Sequence, residues 1–159
     1  MACQRTVLHA GALGLAVLAV PAQAGTRTTA EVLYSENPQE RAFQESAGYS
    51  DAVILRDGTV YLSGVVVGPT ADKAAFERSY RRISDILLRA GATWEDVVEI
   101  TSYHTDIEPQ VAVMSEVQKQ FITPPFAAWT AVQVTRLYSP GGVTEIKIVA
   151  KKAVRCVRT

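Results

Sequence analysis

Apolar residues recur along the chain with two periods, and the switches between them mark its elements. From Asp72 to Ala90 the apolar positions Phe76, Tyr80, Ile83, Leu87 and Ala90 step by four, three, four and three residues, one face of an amphipathic helix. Gly91, just beyond the last of them, is placed to cap its C-terminus. Val111, Met114, Val117 and Phe121 form a second stripe, opened by Pro109 and closed by Pro124-Pro125, and predict a second helix with Asp106 as its N-terminal cap. Other segments are rich in β-branched and aromatic residues. "DAVILRDGTVYLSGVVVG" holds two apolar runs around Asp57-Gly58, a β-hairpin signature because Gly tolerates positive φ. "VVEITSYHT", "AAWTAVQVTRL" and "VTEIKIVAKKAV" read as three further strands, the last two separated by Ser139-Pro140-Gly141-Gly142.

The order ββ-α-β-α-ββ predicts an α+β domain, a mixed sheet with two helices packed on one face. Helices on one side leave the other sheet face apolar, and association of identical subunits is the simplest way to bury it. Residues 48–159 are read as this single domain, and the polar, aperiodic residues 25–47 as an irregular lead-in carrying no chemistry. Residues 1–24 are expected to be a secretory signal. Arg5 supplies the basic region, Gly11 to Val20 the apolar core, too short to span a bilayer, and Ala22-Gln23-Ala24 the cleavage site. The expected location is periplasmic or secreted, with no membrane contact after cleavage.

Removing 24 residues from 159 leaves 135, enough for one ordinary domain, with 15 basic and 16 acidic side chains. That balance, with Lys and Arg scattered rather than clustered, argues against a nucleic-acid partner. Cys3 and His9 leave with the leader, so Cys156 has no partner for an internal disulfide, and its role is left open by the sequence. His104 alone with one distant Cys cannot supply the ligands of a zinc site, and no metal is expected. In its strand His104 reads as a structural histidine.

"GYSDAVILRDGTVYLSG", "LLRAGATWEDVVEITSY", "VAVMSEVQKQF", "FAAWTAVQV" and "EIKIVA" resemble, in this order, the segments of the reactive intermediate deaminase family, Rid or YjgF, over roughly Gly48 to Ala150. The resemblance implies a chorismate-mutase-like α+β subunit, a homotrimer, and a small-molecule cleft at each subunit interface. It also implies hydrolysis by water of enamines and imines such as 2-aminoacrylate to ketoacids and ammonia, without metal or organic cofactor. An Arg on the penultimate strand would grip the substrate carboxylate and a Glu on the last strand would orient the water.

Carried over residue by residue, Glu145 matches the catalytic acid, Tyr49 the cleft tyrosine, Ser63-Gly64 the Ser-Gly that ends the second strand, and Ala131 a small pocket residue. Three positions depart. The family's "FPARSAV" is "FAAWTAV" here, so its Arg is Trp129; an Asn on the second helix is Ser115; and the second acid of Glu-Ile-Glu is Lys147. Two charge-assisted bonds to a carboxylate, at about 1.5–3 kcal/mol each, are replaced by one neutral indole donor. The loss corresponds to roughly a hundredfold to ten-thousandfold weaker capture of the acid. Arg136 lies an odd number of residues along the same predicted strand, on its opposite face. Lys147 shares a face with Glu145, and whether it makes up the lost charge is not fixed by the sequence.

The expected function is therefore a Rid-family protein whose interface cleft binds a small organic ligand, with the usual 2-aminoacrylate deaminase activity lost or redirected. Two alternatives stand beside it: a working enamine or imine deaminase using Glu145 and another anchor, and a ribonuclease-like activity, disfavoured by the charge balance.

Overall fold

The computed structural model describes residues 25–153; the expected leader and Cys156 lie outside them. One mixed sheet organises the chain. Its strands are β1 (Glu31–Leu33), β2 (Ala52–Ile54), β3 (Thr59–Leu62), β4 (Val65–Val67), β5 (Val97–His104), β6 (Ala128–Gln133) and β7 (Thr144–Lys151). They lie in the order β1-β2-β3-β7-β5-β6, with β4 continuing the line of β3 along β7. Every pairing is antiparallel except β5 with β6, and the helix α3 (Ile107–Gln118) makes the crossover that a parallel pair requires.

The predicted hairpin is present, with Ile54 opposite Val60, and Gly58 at φ 86° makes the turn. Asp57 straps it to β7, accepting from Lys151 Nζ at 2.7 Å and from the Thr59 amide at 2.9 Å. These donors hold the Asp57 carboxyl down at about 2.

The helix α2 (Lys73–Arg89) buries all five residues of its predicted stripe, Phe76, Tyr80, Ile83, Leu87 and Ala90, against the sheet. Asp72 caps its start by accepting from the Ala75 amide, and Gly91 at φ 70° turns the chain away at its end. In α3, Met114 and Val117 are buried while Val111 and Phe121 are half-buried, and Phe121 lies past the end of the helix. Asp106 occupies the N-cap position of α3 without making a capping bond; Gln133 at the end of β6 accepts from the Ile107 amide instead. Among the described residues no helix is long and apolar enough to cross a membrane.

Residues 25–47 are not the irregular lead-in that their polarity predicts. They contain a 3-10 turn at Thr26–Thr29, the edge strand β1, and a helix, α1 (Pro38–Ala47). The reason lies in the ends of α1 rather than its faces. Asn37 accepts from the Gln39 and Glu40 amides at 3.0 and 3.2 Å, Pro38 opens the first turn, and Gly48 closes it at φ 77°. Its one buried side chain is polar, Gln44, so no apolar stripe exists to be read.

Candidate functional site

The site forms where the second apolar run of the hairpin breaks. β3 pairs with β7 as far as Tyr61 opposite Val149, and β4 resumes at Val65 opposite Ile146, so four steps on one side face three on the other. One extra residue is absorbed at Ser63-Gly64, a β-bulge of the kind that re-aims side chains beside functional sites. Ser63 is fixed there by its amide, which donates to Asp51 O at 2.9 Å, and by its hydroxyl, which donates to Ser50 O at 2.6 Å. Only the acceptor side of that hydroxyl is left for a ligand. Gly64 matters by what it lacks: a Cβ there would stand 1.9 Å from Glu145 Oε1. The Glu145 carboxylate therefore lies directly over the Gly64 backbone.

An open cavity of about 1120 Å³ joins these residues to Tyr49. Its other walls come from α1 through Glu40 and Phe43, from α2 through Arg82 and Ile86, and from the loop Tyr138–Pro140. Tyr49 follows the left-handed Gly48 that ends α1, and its ring meets Phe43 edge-on at 6.1 Å. Burial, with the nearby Glu40 and Asp51 carboxylates adding to it, raises the Tyr49 phenol above its ordinary value, so it stays a hydroxyl donor.

An ionic cluster in the cavity wall locks α1 to α2. Asp51, almost fully buried, accepts from Arg89 Nη1 at 3.1 Å and Gln44 Nε2 at 2.8 Å, with Arg82 Nη2 at 3.5 Å. Arg82 also donates to Glu40 Oε1 at 2.5 Å, and Ser35 donates to Glu40 Oε2 at 2.6 Å. Arg89 also lies 3.7 Å from Glu36 and 4.0 Å from Asp85, so two guanidinium groups face four carboxylates. By contrast, no hydrogen bond or ion pair holds the Glu145 carboxylate among the described residues.

Of the residues singled out in the sequence, Tyr49, Ser63, Gly64 and Glu145 come together in this cavity; Trp129, Ala131 and Ser115 do not. Trp129 lies on β6 opposite Ile100, on the helix-covered face, half-buried against the core. Its indole Nε1 donates to Ser102 Oγ at 2.9 Å. Ala131 is exposed on the same strand, beside Ser102, and Ser115 is half-buried on α3. Within one chain Trp129 therefore takes no part in this cavity.

The Ser102 contact opens a directional chain. Ser102 Oγ lies 2.8 Å from His104 Nε2, His104 Nδ1 lies 3.1 Å from Thr144 Oγ1, and Thr144 donates to Gln110 Oε1 at 3.1 Å. Gln110 Nε2 donates to Thr105 Oγ1, which donates to the Val143 carbonyl. A carbonyl only accepts, so the Val143 end fixes the polarity, and the indole, which only donates, leaves the Ser102 hydrogen free for His104. Thr144 must accept from His104 Nδ1–H, and Ser102 must donate to a bare Nε2. His104 is a buried neutral imidazole, and burial pushes its pKa below the ordinary histidine value.

Both candidate replacement cations lie away from the cavity lining. Lys147 shares the uncovered face of β7 with Glu145, about 7 Å along the strand at two residues' rise. Arg136 lies beyond β6, which ends at Gln133, so the parity of a strand does not apply to it. The cation that does line the cavity is Arg82, with Glu40 and Phe43 as further lining residues missed by the sequence reading. The signal for the α1 pair was the Asn37-Pro38 opening and Gly48 closing of a helix; nothing in the local sequence marks Arg82. Among the described residues no three His, Cys, Asp or Glu side chains gather as metal ligands.

A mixed sheet with helices on one face is the α+β architecture of the YjgF class. The match is carried by sequence as well as shape. The model of the Endoribonuclease L-PSP family matches residues 39–152, and the chain belongs to that family, the YjgF or Rid proteins. It is 35% identical over 111 residues to the RutC family protein YjgH of Escherichia coli, covering 65% of this chain and 82% of that protein. Among solved structures, a YjgF/YER057c/UK114 family member from Mycobacterium tuberculosis superposes with a TM-score of 0.66 at 32% identity, covering 77% of this chain and 99% of the other. RidA from an Antarctic Psychrobacter superposes with a TM-score of 0.61 at 28% identity, covering 78% and 98%.

Proposed function

We propose that this chain is a Rid-family small-molecule-binding protein whose usual 2-aminoacrylate deaminase activity is lost or redirected to a substrate without a carboxylate. The observation that carries this reading is the position of Trp129. It stands where the family's substrate-gripping Arg is expected, and its one donor is spent on Ser102 at 2.9 Å inside the fold. Tyr49, Ser63, Gly64 and Glu145 nevertheless share one cavity. The cleft keeps its hydrolytic side and has no anion grip from that strand.

The reading includes a homotrimer, supported by the sheet face that α2 and α3 leave uncovered, where Tyr61 and Val132 are exposed. It also includes export, on the N-terminal sequence alone. In such an assembly the β6 edge of one copy would meet the cleft of the next, bringing Trp129, Ala131 and Ser115 near it.

The test is release of ammonia or ketoacid from enzymatically generated 2-aminoacrylate or iminopropionate. This protein is expected to act at least about a hundredfold more slowly than an Arg-bearing family member, from the two lost bonds to the acid. Equal rates would refute the proposal.

A further inference from the structure

The charges around the cavity do not cancel, and the remainder has a sign. Its lining carries the carboxylates of Glu40, Asp51 and Glu145 against the single guanidinium of Arg82. Arg89 supplies the second cation from behind, 3.1 Å from Asp51 Oδ2. Glu40 and Asp51 thus already engage Arg82 and Arg89, and Arg89 has Glu36 and Asp85 beside it as well. Glu145 is left, lying on the Gly64 backbone with no cation on it among the described residues. Around it the same cavity presents the aromatic rings of Phe43, Tyr49 and Tyr138, each substantially exposed. A lone carboxylate beside aromatic rings is the combination that recognises an organic cation, by charge on one side and by the ring quadrupole on the other. A carboxylate ligand would find one cation in the lining, Arg82, whose Nη2 is taken by Glu40 and Asp51, and would have to bind its other nitrogens beside those two carboxylates.

Resting on the reading of the cleft given above, we infer that its ligand is a small organic cation, an aromatic or alkyl ammonium or iminium. Its nitrogen pairs with Glu145 and its body lies against Tyr49, Tyr138 and Phe43. The residue at the family's arginine position is an indole in every copy of the chain, so no facing subunit restores an anion site from there.

The experiment compares three probes of one size and different charge at pH 7, benzylammonium, benzyl alcohol and benzoate, by ligand-observed NMR titration of the assembled protein and of Glu145→Gln and Arg82→Gln. Benzylammonium is expected to bind at least about tenfold more tightly than the alcohol, a difference of about 1.4 kcal/mol. Glu145→Gln should erase that difference while leaving the alcohol's affinity in place, which also reports that the variant is folded. Equal binding of amine and alcohol overturns the charge assignment and leaves the carboxylate-free cleft standing. Tighter binding of benzoate, lost in Arg82→Gln, overturns both. Binding of none of the three overturns the inference as well.

Discussion

Replacing Trp129 with Phe tests whether the indole is committed inside the fold. The substitution keeps an aromatic ring on β6 but removes the N–H that donates to Ser102 Oγ at 2.9 Å. A neutral hydrogen bond of this kind is worth about 1 kcal/mol net. The lost ring atoms of a half-buried side chain add about as much again, so the variant is expected to lose about 2 kcal/mol. The part that belongs to the bond is isolated by a double-mutant cycle with Ser102→Ala, whose coupling should be about 1 kcal/mol. The assay is urea unfolding with constant m, at one fixed protein concentration because an assembling protein's stability depends on it. A coupling below about 0.3 kcal/mol would refute the placement of Trp129 and the functional reading built on it.

The same chain of bonds predicts a pH dependence. His104 is held neutral with its folded pKa below the 6.5 of the free side chain. Above that value both states are neutral and it contributes no slope. As the pH falls below it the unfolded chain takes up a proton that the folded chain refuses, and stability is lost at up to about 1.4 kcal/mol per pH unit until the folded pKa is reached. Unfolding free energies at pH 8 and pH 5.5 should show this loss, and His104→Gln should remove it; an unchanged slope in the variant would refute the assignment. Gly64→Ala tests the other end of the site. Its Cβ falls 1.9 Å from Glu145 Oε1, so the carboxylate must swing away. Benzylammonium affinity should drop at least about tenfold with less than about 1 kcal/mol of stability lost, and retained affinity would show that Glu145 does not need that seat.

Much of the fold was legible because it rests on periodicity. The stripe Phe76, Tyr80, Ile83 and Leu87 is buried along α2, with Ala90 buried just past its end, and the Asp57-Gly58 hairpin forms where it was read. What escaped was structure held by polar groups. α1 has no apolar face and is fixed by Asn37, Gly48 and the burial of Gln44 against Asp51. The end of a strand at Ser63-Gly64 was named by resemblance, but that the chain resumes along β7 as β4, one residue out of register, was not. Asp106 had the right position and the wrong bond, since Gln133 from a distant strand reaches the Ile107 amide.

The site shows the same division more sharply. Tyr49, Ser63, Gly64 and Glu145 were named by resemblance, and they meet in space. The charge that decides what such a site accepts was not named, because Arg82 is brought to the cleft by tertiary packing and then claimed by Glu40 and Asp51. A cation in a cleft wall is an anion site only when its own partners leave it free. Here the arginine sits among acids that outnumber it, and the one cavity acid without a partner shares the cleft with aromatic rings. The sign of the ligand thus follows from which ion pairs are already made, a property of the folded chain that a search for a replacement arginine along one strand does not reach.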